Sequence, residues 1–164
     1  MKKYLVILTI LVTLPLAAFA DFGVGGAAFF KSPVLLGQPI NTDNLNVNQF
    51  SFGADARLKV KWFQAEALLL YSAGSFNSLN AYLDAGVSLD MEIIRFSVGA
   101  GPCFTGNLGQ NPPLQIGFNA KIGADLVLGN ISVGLSYLMA LNINNGIDVN
   151  TSSGLLGASV LFWL

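Results

Sequence analysis

The sequence feature that most constrains this chain is a strict alternation of residue types from Gln49 to Trp62, QFSFGADARLKVKW. Every even position carries an apolar side chain, and every odd position carries a polar side chain or glycine. Successive side chains of a β-strand point to opposite faces, so one face of this strand would be wholly apolar. A helix, with about 3.6 residues per turn, would spread the same residues around its circumference. Aromatic residues at both ends of the apolar face are typical of a strand that crosses a lipid bilayer.

Seven other segments repeat this alternation. Their predicted bounds are 22–31, 64–72, 79–89, 93–104, 114–126, 131–139 and 156–164. Long polar connections alternate with tight turns along the chain, as in outer-membrane barrels with short periplasmic turns and longer extracellular loops. The pattern therefore predicts an all-β fold over residues 21–164. We expect an eight-stranded antiparallel transmembrane up-and-down β-barrel, with the N- and C-termini on the periplasmic side.

Local sequence at the turns and within the fifth strand adds three expectations. Gly129 and Asn130 predict a two-residue hairpin turn. Trp62 and Phe63 are poor turn residues, so a wider loop is expected there. Pro102 cannot donate a hydrogen bond to a neighbouring strand and is expected at the rim or at a bulge.

The first 20 residues predict a cleaved secretory signal peptide. Two lysines precede an apolar run over residues 4–20, which ends in the small-residue site Ala-Phe-Ala just before Asp21. A basic start, a short apolar segment and such a site are the pattern of a signal peptide. The alternative is an uncleaved N-terminal anchor, which Pro15 disfavours because it breaks a helix just before the site.

The charged residues of the predicted strands fall on the polar face. A Lys or Arg on the lipid face at mid-membrane would cost about 2–4 kcal/mol. The interior of an eight-stranded barrel is largely filled by side chains, and a charge buried there needs a partner. We therefore predict an ion-pair plug in the lumen. Its predicted members are Asp55, Arg57, Lys59, Lys61, Glu66, Asp84, Asp90, Arg95, Lys121 and Asp125.

Two pairs within this plug follow from the expected hairpins. Lys59 is expected to face Glu66 across the hairpin that joins the second and third strands. Asp90 is expected to meet Arg95 across the next tight turn. The functional alternative to charge neutralisation is an ion-selecting or proton-relaying constriction.

The inward residues nearer the extracellular end are mostly apolar. Together with polar groups such as Gln49, Ser51 and Gln115, they would suit a pocket for a small apolar molecule. The competing interpretation is that they simply fill a narrow interior. The residues concerned are Phe29, Leu70, Tyr82, Cys103, Leu138 and Leu155.

The composition argues against catalysis and against cofactors. The chain contains no histidine and one cysteine, Cys103, so His-based acid–base chemistry and an intramolecular disulfide are excluded. The loop residues Asp43, Asn44, Asp148 and Asn150 offer oxygen ligands, but their spacing fits no calcium motif. We predict no enzyme activity, no cofactor, no metal and no nucleic-acid partner.

The signal sequence, the eight alternating segments and the terminal strand LLGASVLFWL resemble the small bacterial outer-membrane proteins of the OmpA-barrel, OmpX and OmpW type. The last strand of those proteins usually ends in an aromatic residue, whereas this chain ends in Leu164. The resemblance implies a Gram-negative outer membrane, contact with its lipid and insertion by the barrel-assembly machinery.

Two function classes remain open on these grounds. The first is a structural or surface-interaction barrel with a largely plugged lumen, which would contact an extracellular ligand through its loops. The alternative is a narrow channel or a binding site for small hydrophobic molecules, similar to the OmpW type.

Overall fold

The computed structural model describes residues 20–32, 47–72, 77–107, 114–142 and 154–164. The predicted signal peptide, apart from Ala20, lies outside the described residues, as do Asp43, Asn44, Asp148 and Asn150. Eight strands are present, and their bounds agree with the predicted segments to within a few residues. They are β1 (Asp21–Ser32), β2 (Phe50–Val60), β3 (Phe63–Ser72), β4 (Ser78–Met91), β5 (Ile94–Asn107), β6 (Leu114–Leu128), β7 (Ile131–Asn142) and β8 (Gly154–Trp163).

The strands form a closed antiparallel barrel in chain order. Each strand pairs with its sequence neighbours, and β8 pairs back with β1 from Gly23↔Trp163 to Ser32↔Gly154. The Leu164 amide also donates to the Phe22 carbonyl at 2.8 Å, next to the last pair of that seam. The predicted eight-stranded up-and-down barrel is therefore confirmed.

One end of the barrel, here called the short-turn end, carries three two-residue turns. They are Lys61–Trp62, Glu92–Ile93 and Gly129–Asn130. The start of β1 and the end of β8 lie at this same end. The opposite end, here called the loop end, is where β1, β3, β5 and β7 finish and where β2, β4, β6 and β8 begin. The predicted Gly129–Asn130 turn is confirmed.

The turn between β2 and β3 is tighter than the sequence indicated. Lys61 takes a left-handed backbone conformation with φ 56°, which is uncommon for a residue other than glycine. The turn is therefore Lys61–Trp62 rather than a wider loop around Trp62 and Phe63, and the wider-loop prediction was wrong. Lys61 is exposed in this turn and does not reach the lumen, so its assignment to the plug was also wrong.

The turn begins one residue earlier than the predicted pairing implied, and this changes the register of the hairpin by two residues. Lys59 lies opposite Gln64, and Arg57 lies opposite Glu66. The predicted facing of Lys59 and Glu66 was therefore wrong, because that prediction placed Lys61 in the ladder rather than in the turn.

The barrel is inside-out relative to a water-soluble protein. Among the described residues, sixteen buried side chains are polar or charged and nine are hydrophobic. The outer face is apolar and open, with Leu135 66% and Ile122 56% exposed. No outward-facing position of the described strands carries a charged side chain. Within the same part of the chain, no helix is long and apolar enough to cross a membrane.

Pro102 lies within β5, away from both rims, so its expected place at a rim or bulge was wrong. Pairing between β4 and β5 lapses beside it, between Tyr82↔Cys103 and Ala85↔Ala100, and the register is the same on both sides. This is a gap in the hydrogen-bonded ladder rather than a bulge. The side chains of β4 and β5 therefore keep the same inward and outward alternation on both sides of it. Asp84, whose carboxylate points into the lumen, lies on the β4 side of this gap.

Candidate functional site: the barrel lumen

The side chains inside the lumen form four layers along the barrel axis, described here from the short-turn end to the loop end. A rim cluster of Lys59, Asp90, Arg95, Ser132 and Trp163 lies at the short-turn end. Above it lies a cross-lumen network of Asp55, Arg57, Glu66, Lys121, Asp125 and Ser159. An apolar layer follows, and a polar depression opens at the loop end.

Arg57 is the centre of the cross-lumen network. Its Nη2 lies 2.7 Å from Asp55 Oδ2, and its Nη1 lies 2.9 Å from Asp125 Oδ2. Nη2 also donates to Ser159 Oγ at 3.0 Å. The fixed fork of a guanidinium suits several carboxylates at once. Arg57 thus joins groups on β2, β6 and β8 and is almost fully buried.

Glu66 connects Arg57 to a second cation. Its Oε2 lies 3.4 Å from Arg57 Nε, and its Oε1 accepts a hydrogen bond from Lys121 Nζ. Lys121 Nζ also lies 5.7 Å from the centroid of the Phe29 ring, within cation–π range. Lys121 therefore contacts both the charged network and the apolar layer above it.

Gly134 leaves the space that the network needs. It lies opposite Asp125 in the β6–β7 ladder, and a Cβ at this position would collide with the Asp125 carboxylate. A side chain at residue 134 would therefore displace Asp125 from Arg57.

The rim cluster is organised around Asp90. Its Oδ2 lies 2.6 Å from Lys59 Nζ and its Oδ1 lies 2.6 Å from Arg95 Nε. The contact between Asp90 and Arg95 is the one predicted from the sequence. Lys59, in contrast, pairs with Asp90 and not with Glu66 as predicted. The side chain of Asp90 is 46% exposed, so this pair lies at the mouth rather than deep in the lumen.

Trp163 completes the rim cluster, and the sequence interpretation missed it. Its ring lies under the Arg95 guanidinium, with Arg95 Cζ 4.4 Å from the ring centroid. Its Nε1 donates to Ser132 Oγ at 2.8 Å. The signal was available, because the alternation in the terminal segment LLGASVLFWL puts Phe162 and Leu164 on one face and Trp163 on the other.

The predicted apolar pocket residues come together, but they fill the space between them. Phe29, Leu70, Tyr82, Cys103 and Leu138 form one buried cluster with Ala27 and Leu68, and Leu155 packs against it. Leu70 and Leu138 are 0% exposed. Cys103 is a free, buried thiol within this layer. Leu68 belongs to the same layer and was not predicted, although it lies on the inward face of β3.

Open space begins above the apolar layer. A depression of about 310 Å³ has mainly polar walls and an apolar floor that includes Tyr82 and Leu155. Its wall is hydrogen-bonded: Ser51 Oγ lies 2.6 Å from Ser72 Oγ, and Thr105 Oγ1 donates to Asn80 Oδ1 at 2.9 Å. Of the three polar groups predicted for the pocket, Gln49 and Ser51 line this depression and Gln115 does not.

Asp84, the remaining predicted plug residue, lies in the lumen outside these ion pairs. It is 6% exposed, and neither carboxylate oxygen has a hydrogen-bond partner within the described part of the chain. No group of three or more His, Cys, Asp or Glu side chains that could hold a metal ion occurs among the described residues.

A closed eight-stranded antiparallel barrel with an apolar exterior and an ion-paired interior is the architecture of small outer-membrane β-barrels. No protein-family model matches the chain, and no curated protein sequence matches it significantly. Solved structures that share the fold include two from outer-membrane or surface proteins. The N-terminal β-barrel domain of Pseudomonas aeruginosa OprF aligns with a TM-score of 0.66 at 11% identity, over 88% of this chain and 97% of that domain. Neisserial surface protein A (NspA) aligns with a TM-score of 0.51 at 17% identity, over 87% of this chain and 96% of that protein.

Proposed function

We propose that this protein is an outer-membrane β-barrel that presents loops at the cell surface and whose lumen is closed to solutes. The observation that carries the proposal is the inside-out distribution of side chains. Soluble proteins rarely expose a continuous apolar patch larger than a few hundred Å². Here the apolar band runs around the outer face of the described strands, with ion pairs inside.

Strand length supports membrane insertion. The strands contain 10 to 15 residues. A tilted strand needs about 9–11 residues to cross the hydrocarbon core of a bilayer. Every strand is therefore long enough to cross, and the longer ones would extend beyond the lipid at one end.

Contacts across the lumen support closure. Arg57 on β2 reaches Asp125 on β6, and Lys121 on β6 reaches Glu66 on β3. The apolar layer with fully buried Leu70 and Leu138 forms a second barrier above this network. An ion-conducting constriction would need a continuous open path, and a proton relay would need a continuous chain of hydrogen-bonded groups. The filled apolar layer interrupts both, which favours a structural plug instead.

The orientation follows from the alternation of connection lengths. We place the short-turn end in the periplasm and the loop end outside the cell, with both chain termini periplasmic. In this orientation β8 is presented to the barrel-assembly machinery from the periplasm. The outer face contacts outer-membrane lipid, and any extracellular ligand meets the loop end. The barrel is a scaffold rather than an enzyme in this proposal.

Two matched asparagine positions test this orientation. Asn77 lies exposed just before β4 at the loop end, and Asn130 lies exposed in the turn after β6. Asn77→Cys and Asn130→Cys are each made in a Cys103→Ser background and treated on intact cells with a membrane-impermeant maleimide. We expect the cysteine at position 77 to react on intact cells, and the one at position 130 only after the outer membrane is permeabilised. If only position 130 is labelled on intact cells, the barrel has the opposite orientation to the one proposed. Equal labelling of both positions would contradict insertion into the membrane.

A second candidate function rests on the depression at the loop end. Its apolar floor, Tyr82 and Leu155, would accept one small apolar group, and its polar walls would orient the rest of an amphipathic molecule. Binding of a fluorescent fatty-acid probe to refolded protein tests it, with Leu155→Asn as the variant and Leu156→Asn, its lipid-facing neighbour, as the control. Loss of binding only in Leu155→Asn supports the site. If the wild-type protein binds the probe no better than an unrelated eight-stranded barrel does, the proposed binding site is wrong.

A further inference from the structure

The charged side chains inside the barrel are unevenly distributed along its axis. All carboxylates of the described strands lie below the apolar layer, either near the short-turn end or at the level of the cross-lumen network. Above the apolar layer lies the depression at the loop end. Of the described residues that line this depression, Lys31 is the only charged one. The described part of the depression therefore presents one cation and no carboxylate.

Lys31 lies beside the apolar floor of this depression. It is opposite Leu155 in the β1–β8 ladder, and both residues line the depression. Residues directly opposite each other in antiparallel strands have Cβ atoms about 4.5–5.5 Å apart. Lys31 is exposed and takes part in none of the ion pairs formed by the described residues. A ligand whose apolar part contacts Leu155 can therefore reach the Lys31 ammonium group.

The floor of the depression is closed, which limits the size of a ligand. Tyr82, part of the floor, is 5% exposed, and Leu70 and Leu138 in the apolar layer are 0% exposed. The volume of about 310 Å³ lies at the lower end of the range of about 300–1,000 Å³ for small-molecule sites. The apolar part of a ligand held here is therefore short.

The polar wall on β2, β3 and β4 is uncharged and held by its own hydrogen bonds. Asn80 Nδ2 donates to Ser72 Oγ and to Ser78 Oγ, each at 3.2 Å, and Ser72 Oγ lies 2.6 Å from Ser51 Oγ. These amide and hydroxyl groups present no negative charge that would repel an anion. The charge of the depression therefore complements an anionic ligand.

We propose that the depression binds a small amphipathic anion, with its head group at Lys31 and a short apolar group on the floor formed by Tyr82 and Leu155. The proposal rests on the second candidate function above and adds the charge and the size of the ligand. Because Lys31 is exposed, its ion pair with the head group should favour a charged ligand over an uncharged one by about two- to fivefold in dissociation constant.

The test compares two ligands of nearly the same shape, hexanoate, which is charged at neutral pH, and hexanamide, which is not. Each is titrated into isotope-labelled protein refolded in neutral detergent at low salt. The dissociation constants are read from the chemical shifts of the backbone amides of Lys31, Ser51 and Leu155. We expect hexanoate to bind about two- to fivefold more tightly than hexanamide. The preference should fall at high salt, because salt screens exposed charges.

Three variants assign this preference to Lys31. Lys31→Gln removes the positive charge and should make the two dissociation constants equal, whereas Lys31→Arg keeps the charge and should keep the preference. Lys61→Gln is the matched control, because Lys61 is also an exposed lysine but lies in a turn at the short-turn end. It should keep the full preference.

The size of the apolar group is tested with butanoate, hexanoate and octanoate. Because the floor is closed, the affinity should level off within this series. A chain that enters detergent instead would gain about fourfold in affinity for every added CH₂. Such a continued gain up to octanoate would overturn the assignment of a short apolar group to the floor.

The possible failures are distinguishable. Equal binding of hexanoate and hexanamide by the wild-type protein would overturn the preference for an anion and leave the second candidate function standing. A preference that persists in Lys31→Gln would overturn the role of Lys31. If neither ligand shifts the signals of the depression, the second candidate function is wrong, and the proposed anion site is wrong with it.

Discussion

Arg57 on β2 and Asp125 on β6 form an ion pair across the barrel, with Arg57 Nη1 2.9 Å from Asp125 Oδ2. The two strands are four positions apart in a ring of eight, so this contact spans the lumen rather than one ladder. Both side chains are buried, at 2% and 3% exposure. The pair therefore fixes opposite walls of the barrel to each other and blocks the lumen at that level.

Removal of Arg57 should strongly destabilise the barrel. Arg57→Met would leave Asp55, Asp125 and Glu66 as buried carboxylates without their shared cation, at an expected cost of about 3–5 kcal/mol. Lys31→Met, at an exposed position near the loop end, should change the unfolding free energy by less than about 0.5 kcal/mol. Urea unfolding followed by gel mobility measures both. Equal, small losses would mean that the network contributes little to stability.

The observed register can be tested against the one expected from sequence. A double-mutant cycle between Lys121→Met and Glu66→Gln should give a coupling of about 0.5–3 kcal/mol, because the two groups share a buried contact. The cycle between Lys59→Met and Glu66→Gln should be additive, since Lys59 pairs with Asp90. Strong coupling between Lys59 and Glu66 would restore the alternative register.

The lipid-facing surface should reject charge and tolerate truncation. Ile122 is 56% exposed near the middle of β6. Ile122→Arg should cost about 2–4 kcal/mol in a bilayer, whereas Ile122→Ala at the same site loses only lipid contact and should fold normally. Folding into phospholipid vesicles, read from gel mobility, compares the two variants. If Ile122→Arg folds as well as Ile122→Ala, this face does not lie in the hydrocarbon core.

The penultimate residue should matter more than its neighbour. Trp163→Ala removes the ring beneath Arg95 and the donor to Ser132, at a cost of about 3–5 kcal/mol typical of a buried Trp. Phe162→Ala changes an outward, lipid-facing side chain and should cost much less. Refolding in vitro separates this effect from any role of the last strand in assembly. A larger loss in Phe162→Ala would mean that the alternation at the end of β8 is reversed.

The sequence predicted the strands and their faces because a period of two is local information. A strand with one apolar face has one possible orientation toward lipid, and so Phe29, Leu70 and Asp125 could be placed inward from parity alone. The pairing of charges was not local in this sense. It depended on whether Lys61 belongs to a strand or to a turn, and its left-handed φ of 56° is not visible in residue type.

Contacts across the lumen were also beyond reach of the sequence. Hairpin register relates neighbouring strands, whereas Arg57 meets Asp125 only because the closed ring places β2 opposite β6. Asp84 is the opposite case, an expected ion pair that the structure does not contain. It was expected to share a neutralising plug, but Lys121 donates to Glu66 instead, which leaves Asp84 beside a cavity.

Single-channel recording of refolded wild-type protein in planar bilayers tests the central claim, a membrane-spanning barrel with a closed lumen, most directly. Insertion is verified by gel mobility on the same preparation, and an open porin serves as the conducting control. We expect inserted, folded protein to give no current steps above the bare bilayer, because the network at Arg57 and the apolar layer at Leu70 both fill the lumen. Reproducible steps whose number rises with the amount of folded protein would show an open path and contradict the closed-lumen account.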